Sequence, residues 1–182
     1  MLINISQWKF VALGFSLVGI PAFCSAVDST SLELGTGNKT KMVRAGVQWK
    51  LDKQWWRSNG THIGAYWDLS LAHWRGEQFQ DIPDARLSIT SIGITPVFRL
   101  QNDNLKGPYA EIGIGAHLLS AHYDNNGRQL STRFQFGDHF GIGYVFPNNM
   151  ELGLKLQHFS NAGIKKPNDG VNFFIVGLRY PI

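Results

Sequence analysis

Residues 151–160 read ELGLKLQHFS, from Glu151 to Ser160. Leu152, Leu154 and Leu156 occupy every second position, and the same spacing continues into His158 and Ser160. Successive side chains of a β-strand point to opposite faces, so these five share one face. A leucine row that ends in a histidine and a serine is an apolar surface with a polar terminus. What that row faces decides the fold.

The two-residue period recurs in about eight segments, near Ser29–Thr36, Lys41–Leu51, Thr61–Arg75, Ala85–Leu100, Pro108–Tyr123, Ser131–Phe146, Met150–Asn161 and Val171–Ile182. They are separated by GTGN, RSNG, QNDN, DNNG, PNN and KKPNDG, the Gly, Asn, Pro and Asp chemistry of turns. Ile112, Ile114, Ala116 and Leu118 share one face of the fifth segment, opposite Glu111, Gly113, Gly115 and His117. In the sixth, Phe134, Phe136, Phe140, Ile142 and Tyr144 alternate with Gln135, Gly137, His139, Gly141 and Gly143. The last alternates Phe174, Val176, Leu178 and Tyr180 with Phe173, Ile175, Gly177 and Arg179. Glycines within such strands fit a strongly curved sheet.

The start of the chain says where this sheet goes. Lys9, an apolar stretch from Phe10 to Phe23 and a small-residue site at CSA make residues 1–26 an expected export signal. The apolar stretch is shorter than the roughly 20 residues of a bilayer-spanning helix. Bulky Phe23 before Cys24 argues against a lipoprotein. Cys24 is the one cysteine of 182 residues, so cleavage leaves a chain, 27–182, without thiol or disulfide chemistry. The formal charge of +4 becomes +3 on loss of Lys9, too mild to indicate nucleic acid and weakly suited to acidic lipid headgroups.

A soluble β-sandwich or lipocalin-like barrel also alternates, with its apolar rows turned inward. Export, long strands, short turns and aromatics near strand ends instead favour apolar rows turned outward. The expected fold is therefore all-β, an eight-stranded antiparallel transmembrane β-barrel filling residues 27–182, in the outer membrane of a Gram-negative cell. Trp49, Trp55 and Trp56 would mark one membrane interface, with Trp67 and Trp74 towards the other. An eight-stranded bore is filled by side chains, which excludes bulk transport. With both termini in the periplasm, His158 and Ser160 fall at the extracellular end of the seventh strand, facing lipid.

Two readings of that pair stand side by side. They are polar residues where the apolar belt ends, or His158 activates Ser160 as an acyl-transfer nucleophile. Asp138 interrupts the lipid-facing row of the sixth strand, a costly place for a charge. A hairpin centred near Asn148 brings Asp138 opposite His158 or, shifted by two, Ser160. It would then support the histidine or the substrate site, or be an interfacial carboxylate bonded to a neighbouring strand. His62, His73, His117, His122 and His139 are scattered without metal-ligand spacing, and no metal is expected. His117 and His139 fall on inward rows. Asn59 in NGT reads as a turn.

The stretch HFSNAGIKKPNDGVN, residues 158–172, followed by an alternating terminal strand, resembles the signature of the outer-membrane lipid A 3-O-deacylases, the PagL family. The similarity extends to FQFGDHFGIGY before it and to the overall length. The resemblance implies a cofactor-independent esterase that removes the 3-linked hydroxyacyl chain of lipid A at the membrane surface. Ser160 would be its nucleophile and His158 its general base, while Asn161, Gly163 and Asn168 match loop positions tied to positioning and oxyanion stabilisation. Where the family pattern has a glutamate, this chain has Asn172. An amide cannot stabilise imidazolium as a carboxylate does, although asparagine orients the histidine of Cys-His-Asn proteases. Implied partners are lipopolysaccharide and outer-membrane lipids, with homodimerisation left open. The rival functions are a structural or adhesive barrel, favoured by long outer loops where short ones are expected here, and a lipid A acyltransferase.

Overall fold

A computed structural model describes residues 26–182. Apart from Ala26, the expected export signal lies outside the described residues. Ten strands follow in order: β1 (Ser29–Gly37), β2 (Thr40–Ser58), β3 (Thr61–Gly76), β4 (Leu87–Asn102), β5 (Gly107–Leu119), β6 (Tyr123–Asn125), β7 (Arg128–Leu130), β8 (Phe134–Val145), β9 (Glu151–Ser160) and β10 (Val171–Pro181). Eight of them close a barrel in the order β1-β10-β9-β8-β5-β4-β3-β2, each pair antiparallel. β6 and β7 form a separate hairpin. Its turn, Asn126-Gly127, has both residues at positive φ (53° and 67°), as the primed hairpin turns demand.

Closure removes the sheet's edges and leaves two faces. The outer face is a belt of exposed apolar side chains, with Leu154 and Leu156 on β9, Ile112 and Ile114 on β5, and Phe174 and Val176 on β10. The inner face is built in two layers. Towards the chain termini it is ionic: Glu33 accepts from Arg44 (2.8 Å) and Lys155 (2.6 Å), and Arg44 also pairs with Asp68. Arg99 bonds Glu111 (2.8 Å) and Glu151 (2.9 Å), and Arg179 donates to the Tyr66 hydroxyl (2.6 Å). Buried charges persist only when paired in this way. At the mouth by the termini, this layer borders a cavity of about 280 Å³ lined by Lys50, His62, Arg99 and Arg179 among others.

The half of the bore away from the termini is apolar. Trp74 packs against Phe159 (ring centroids 4.6 Å apart), Phe173 (5.0 Å) and Tyr123 (6.2 Å), within a cluster that includes Met42, Ile89 and Leu119. Trp74 is fully buried, so the sequence reading that set it at a membrane interface is wrong. Its parity is that of inward Asp68 and Tyr66 on the same strand. Trp67 lies on the outward row, but the register sets it level with Trp49 of β2, so it stands at the same end of the barrel as Trp49 rather than at the other interface. His117 and His139 are inward and buried, as expected.

The connections far from the termini also differ from expectation. Those at 77–86, 120–133 and 161–170 are longer than the turns at 59–60, 103–106 and 146–150. They are joined to one another. Phe79 bridges to Asn125 and Leu130 to Asn168, so the β6–β7 hairpin holds the loops on either side. Asn125, wholly buried, accepts from the Gln78 amide (2.8 Å) and donates to the Asn38 carbonyl (3.1 Å) and Thr40 Oγ1 (3.2 Å).

Candidate active site

β9 runs away from the termini with Leu152, Leu154, Leu156, His158 and Ser160 on its outer face. Two residues of strand separate His158 from Ser160 by about 6.6 Å of rise, within the combined reach of their side chains. β10 returns beside it, and the register sets Asn172 directly opposite His158. Asn172 Oδ1 lies 2.6 Å from His158 Nδ1. An amide oxygen only accepts, so Nδ1 carries the proton and Nε2 keeps its lone pair. That tautomer suits a general base.

On the other flank, β8 sets Asp138 opposite His158 and Phe136 opposite Ser160. The hairpin expected from sequence thus takes the first of its two registers. Asp138 is exposed on the outer face, and no hydrogen bond joins its carboxylate to His158 among the described residues. Ser160 Oγ likewise has no hydrogen-bond partner among them, which leaves the hydroxyl available to an incoming group.

The loop 161–170 is framed by its own asparagines. Asn161, wholly buried, donates its backbone N–H to Asn168 Oδ1 (2.9 Å) and its amide Nδ2 to the Lys165 carbonyl (2.8 Å), while its Oδ1 accepts from the Gly163 N–H (3.0 Å). Three of the sequence-derived residues therefore meet in one hydrogen-bonded unit that starts at the residue after Ser160. Ala162 and Gly163 both take positive φ (52° and 79°), the sharp reversal that carries the chain off the strand.

The loop's return brings in residues that sequence reasoning missed. Gly170, at φ +69°, lies under the imidazole, where an added Cβ would sit 2.5 Å from His158 Cε1. Arg128 of β7 donates to the Asp169 carbonyl (2.8 Å), Ser131 Oγ to the Lys165 carbonyl (2.9 Å), and the Ser131 N–H to the Pro167 carbonyl (3.1 Å). The sequence did carry a signal for this clamp. DNNG contains the Asn-Gly pair that marks a two-residue hairpin, a signal that the count of long alternating segments passes over as a break between them.

Residues 41–181, which include every residue named at the site, match the family model described as lipid A 3-O-deacylase (PagL). The chain belongs to that family. A lipid A deacylase PagL of Pseudomonas aeruginosa is 31% identical over 163 residues, spanning 88% of this chain and 90% of the relative. One from Bordetella bronchiseptica is 32% identical over 130 residues, 69% of this chain and 55% of the relative. Among solved structures, the crystal structure of the outer membrane enzyme PagL superposes with a TM-score of 0.73 at 27% identity, over 85% of this chain and 99% of that one. Neisserial surface protein A shares the fold alone, with a TM-score of 0.50 at 14% identity over 85% of this chain and 94% of that one. The PagL-family chain is thus an outer-membrane β-barrel, and among the described residues Asn172 is the one side chain bonded to His158.

Proposed function

We propose that the protein hydrolyses the 3-linked acyl ester of lipid A, using Ser160 and His158 on the lipid-facing surface of the barrel in the outer leaflet. The observation that carries this reading is the His158–Asn172 hydrogen bond, which leaves Nε2 unprotonated on the face shared with Ser160. As Ser160 Oγ attacks the ester carbonyl carbon, Nε2 takes the hydroxyl proton. Collapse of the tetrahedral intermediate breaks the bond to the sugar's 3-oxygen, which receives that proton from His158 and leaves as an alcohol. Water, deprotonated by the same imidazole, then cleaves the acyl-enzyme and releases a 3-hydroxy fatty acid, regenerating Ser160.

Asn172 keeps the ring in its tautomer throughout. Oxyanion stabilisation falls to the turn after Ser160, where the hydrogen-bonded frame of Asn161, Gly163 and Asn168 uses its own N–H groups to hold the turn and leaves the Ala162 N–H as the donor beside the nucleophile. Asp138, level with His158 on β8, is the carboxylate of the same outward cluster and would favour the imidazolium as it forms. Because the ester lies at the junction of sugar and hydrocarbon, a polar cluster at the upper edge of an apolar belt meets it without extraction of the lipid.

The test is mass spectrometry of lipid A from outer membranes producing the wild type, Ser160→Ala or His158→Ala, with folding checked by the heat-dependent gel shift of barrels. Loss of one hydroxyacyl unit with the wild type alone is expected. A wild-type profile identical to that of cells without the protein would overturn the reading, and addition of a chain would mark an acyltransferase.

A further inference from the structure

Beside the nucleophile, the loop after β9 carries two cations with no assigned task. Lys165 and Lys166 are both exposed, and neither ammonium has an ion pair or hydrogen bond among the described residues. Several other cations at this end of the barrel are engaged. Lys41 pairs with Glu77 (3.3 Å), Lys39 bonds Gln78 (2.7 Å), and Arg128 is committed to loop carbonyls. The loop's one carboxylate, Asp169, accepts from the Gln129 N–H (2.8 Å).

The backbone beneath the two lysines is tied down. The Lys165 carbonyl accepts from both Asn161 Nδ2 (2.8 Å) and Ser131 Oγ (2.9 Å), and the Pro167 carbonyl accepts from Ser131 N–H (3.1 Å). Lys165 is therefore one hydrogen bond from the residue that follows Ser160. Ile164, immediately before the pair, is 65% exposed. An exposed aliphatic side chain followed by two free ammonium groups is complementary to an amphiphile whose chains lie below an anionic head.

We infer that Lys165 and Lys166 form the site for the phosphate on the acylated sugar of the substrate, making them specificity-determining residues for the proposed deacylation. The inference rests on the reading of Ser160 as the nucleophile acting on lipid A. In that substrate the phosphate is a few bonds from the 3-ester, so a cation pair anchored next to the nucleophile can hold one while Ser160 meets the other. Lysine suits this task because a compact ammonium acts as a point charge on phosphate without imposing a planar geometry. Salt screens the attraction between exposed cations and a phosphate, so the preference weakens as ionic strength rises.

The test separates binding from chemistry. Full-length protein carrying Ser160→Ala is folded into lipid nanodiscs, and its affinity is measured for lipid A and for chemically dephosphorylated lipid A with the same acyl chains. A preference of about tenfold for the phosphorylated lipid is expected. Adding Lys165→Gln and Lys166→Gln should reduce that ratio to about one, adding Lys165→Arg and Lys166→Arg should retain most of it, and adding Lys50→Gln and Lys53→Gln at the opposite end of the barrel should leave it intact. An unchanged ratio in the Gln pair, or no ratio to begin with, overturns the phosphate site. Turnover of both lipids by protein with Ser160 intact reports separately on the deacylase reading, so the two can fail independently.

Discussion

His158 and Asn172 are joined twice, once as backbone partners in the β9–β10 register and once through the 2.6 Å bond from Nδ1 to the amide oxygen. The backbone pairing fixes where the amide stands, and the amide fixes which ring nitrogen is free. This arrangement predicts that Asn172→Ala lowers kcat by about tenfold to a hundredfold with little change in KM, because an unheld ring samples the wrong tautomer and orientation. Asn172→Glu, which stabilises the imidazolium formed during attack, should equal or exceed the wild type. Release of 3-hydroxy fatty acid from purified lipid A measures both. Full activity in Asn172→Ala together with loss in Asp138→Ala would transfer the supporting role to Asp138.

Gly170 and Gly163 occupy similar backbone conformations in the same loop but should answer differently to substitution. A methyl group at Gly170 meets the His158 ring at 2.5 Å, whereas one at Gly163 has open space around it. Gly170→Ala is expected to cut kcat at least about tenfold by moving the imidazole. Gly163→Ala costs only the left-handed conformation, about 1–2 kcal/mol, and should appear as a lower urea midpoint of the loop's protection rather than as lost chemistry. Equal losses of kcat in the two variants would contradict this division.

Asn125 is the fastener of the cap formed by the long connections. Asn125→Ala removes the partner of the half-buried Gln78 backbone N–H and one of the donors to the Asn38 carbonyl, at a cost of about 1 kcal/mol. The loss is local. Hydrogen exchange should rise across 77–86 and 120–133, while protection within β1–β5 and β8–β10 stays at the wild-type level. Uniformly increased exchange through the barrel would show that the cap and the wall unfold together.

The ionic half of the bore gives a stability prediction. Lys155→Met removes one of two cations bonded to Glu33 and leaves that carboxylate buried with Arg44 alone, costing about 3–5 kcal/mol. Pairing it with Glu33→Gln should recover most of the loss, since the uncompensated charge is then gone. Equilibrium unfolding in urea from micelles or bilayers reads the difference, and a double variant weaker than Lys155→Met would argue against charge burial as the cause.

Much of this architecture was legible from strand parity alone. A period of two decides the face of every residue once one face is known to be greasy, so the outward positions of His158, Ser160, Asn172 and Asp138 followed from counting. The shortness of the turn between β8 and β9 narrowed the partner of Asp138 to His158 or Ser160, and the structure takes the first. Trp74 was misplaced because aromatics were read as interface markers without applying the same count to it, and an inward tryptophan was not anticipated in a bore expected to be polar. The cap was missed for a different reason. Its contacts join residues far apart in the chain, such as Asn125 and Asn38, and the strands that carry them are three residues long, too short for any periodicity to register. Gly170 lay hidden within a turn motif, since the need for a missing side chain there comes from a histidine on the neighbouring strand.

Phe159 separates His158 from Ser160 in the chain and points the other way, into the aromatic cluster, with Trp74 and Phe173 against it. The strand segment that presents the reactive pair is consequently pinned from behind, by groups a lipid on the outer surface never touches. Under the proposed mechanism, reactivity on the wall is thereby coupled to packing in the bore, and substitutions at Phe159, Trp74 or Phe173 would tune it from the far side of a single layer of backbone.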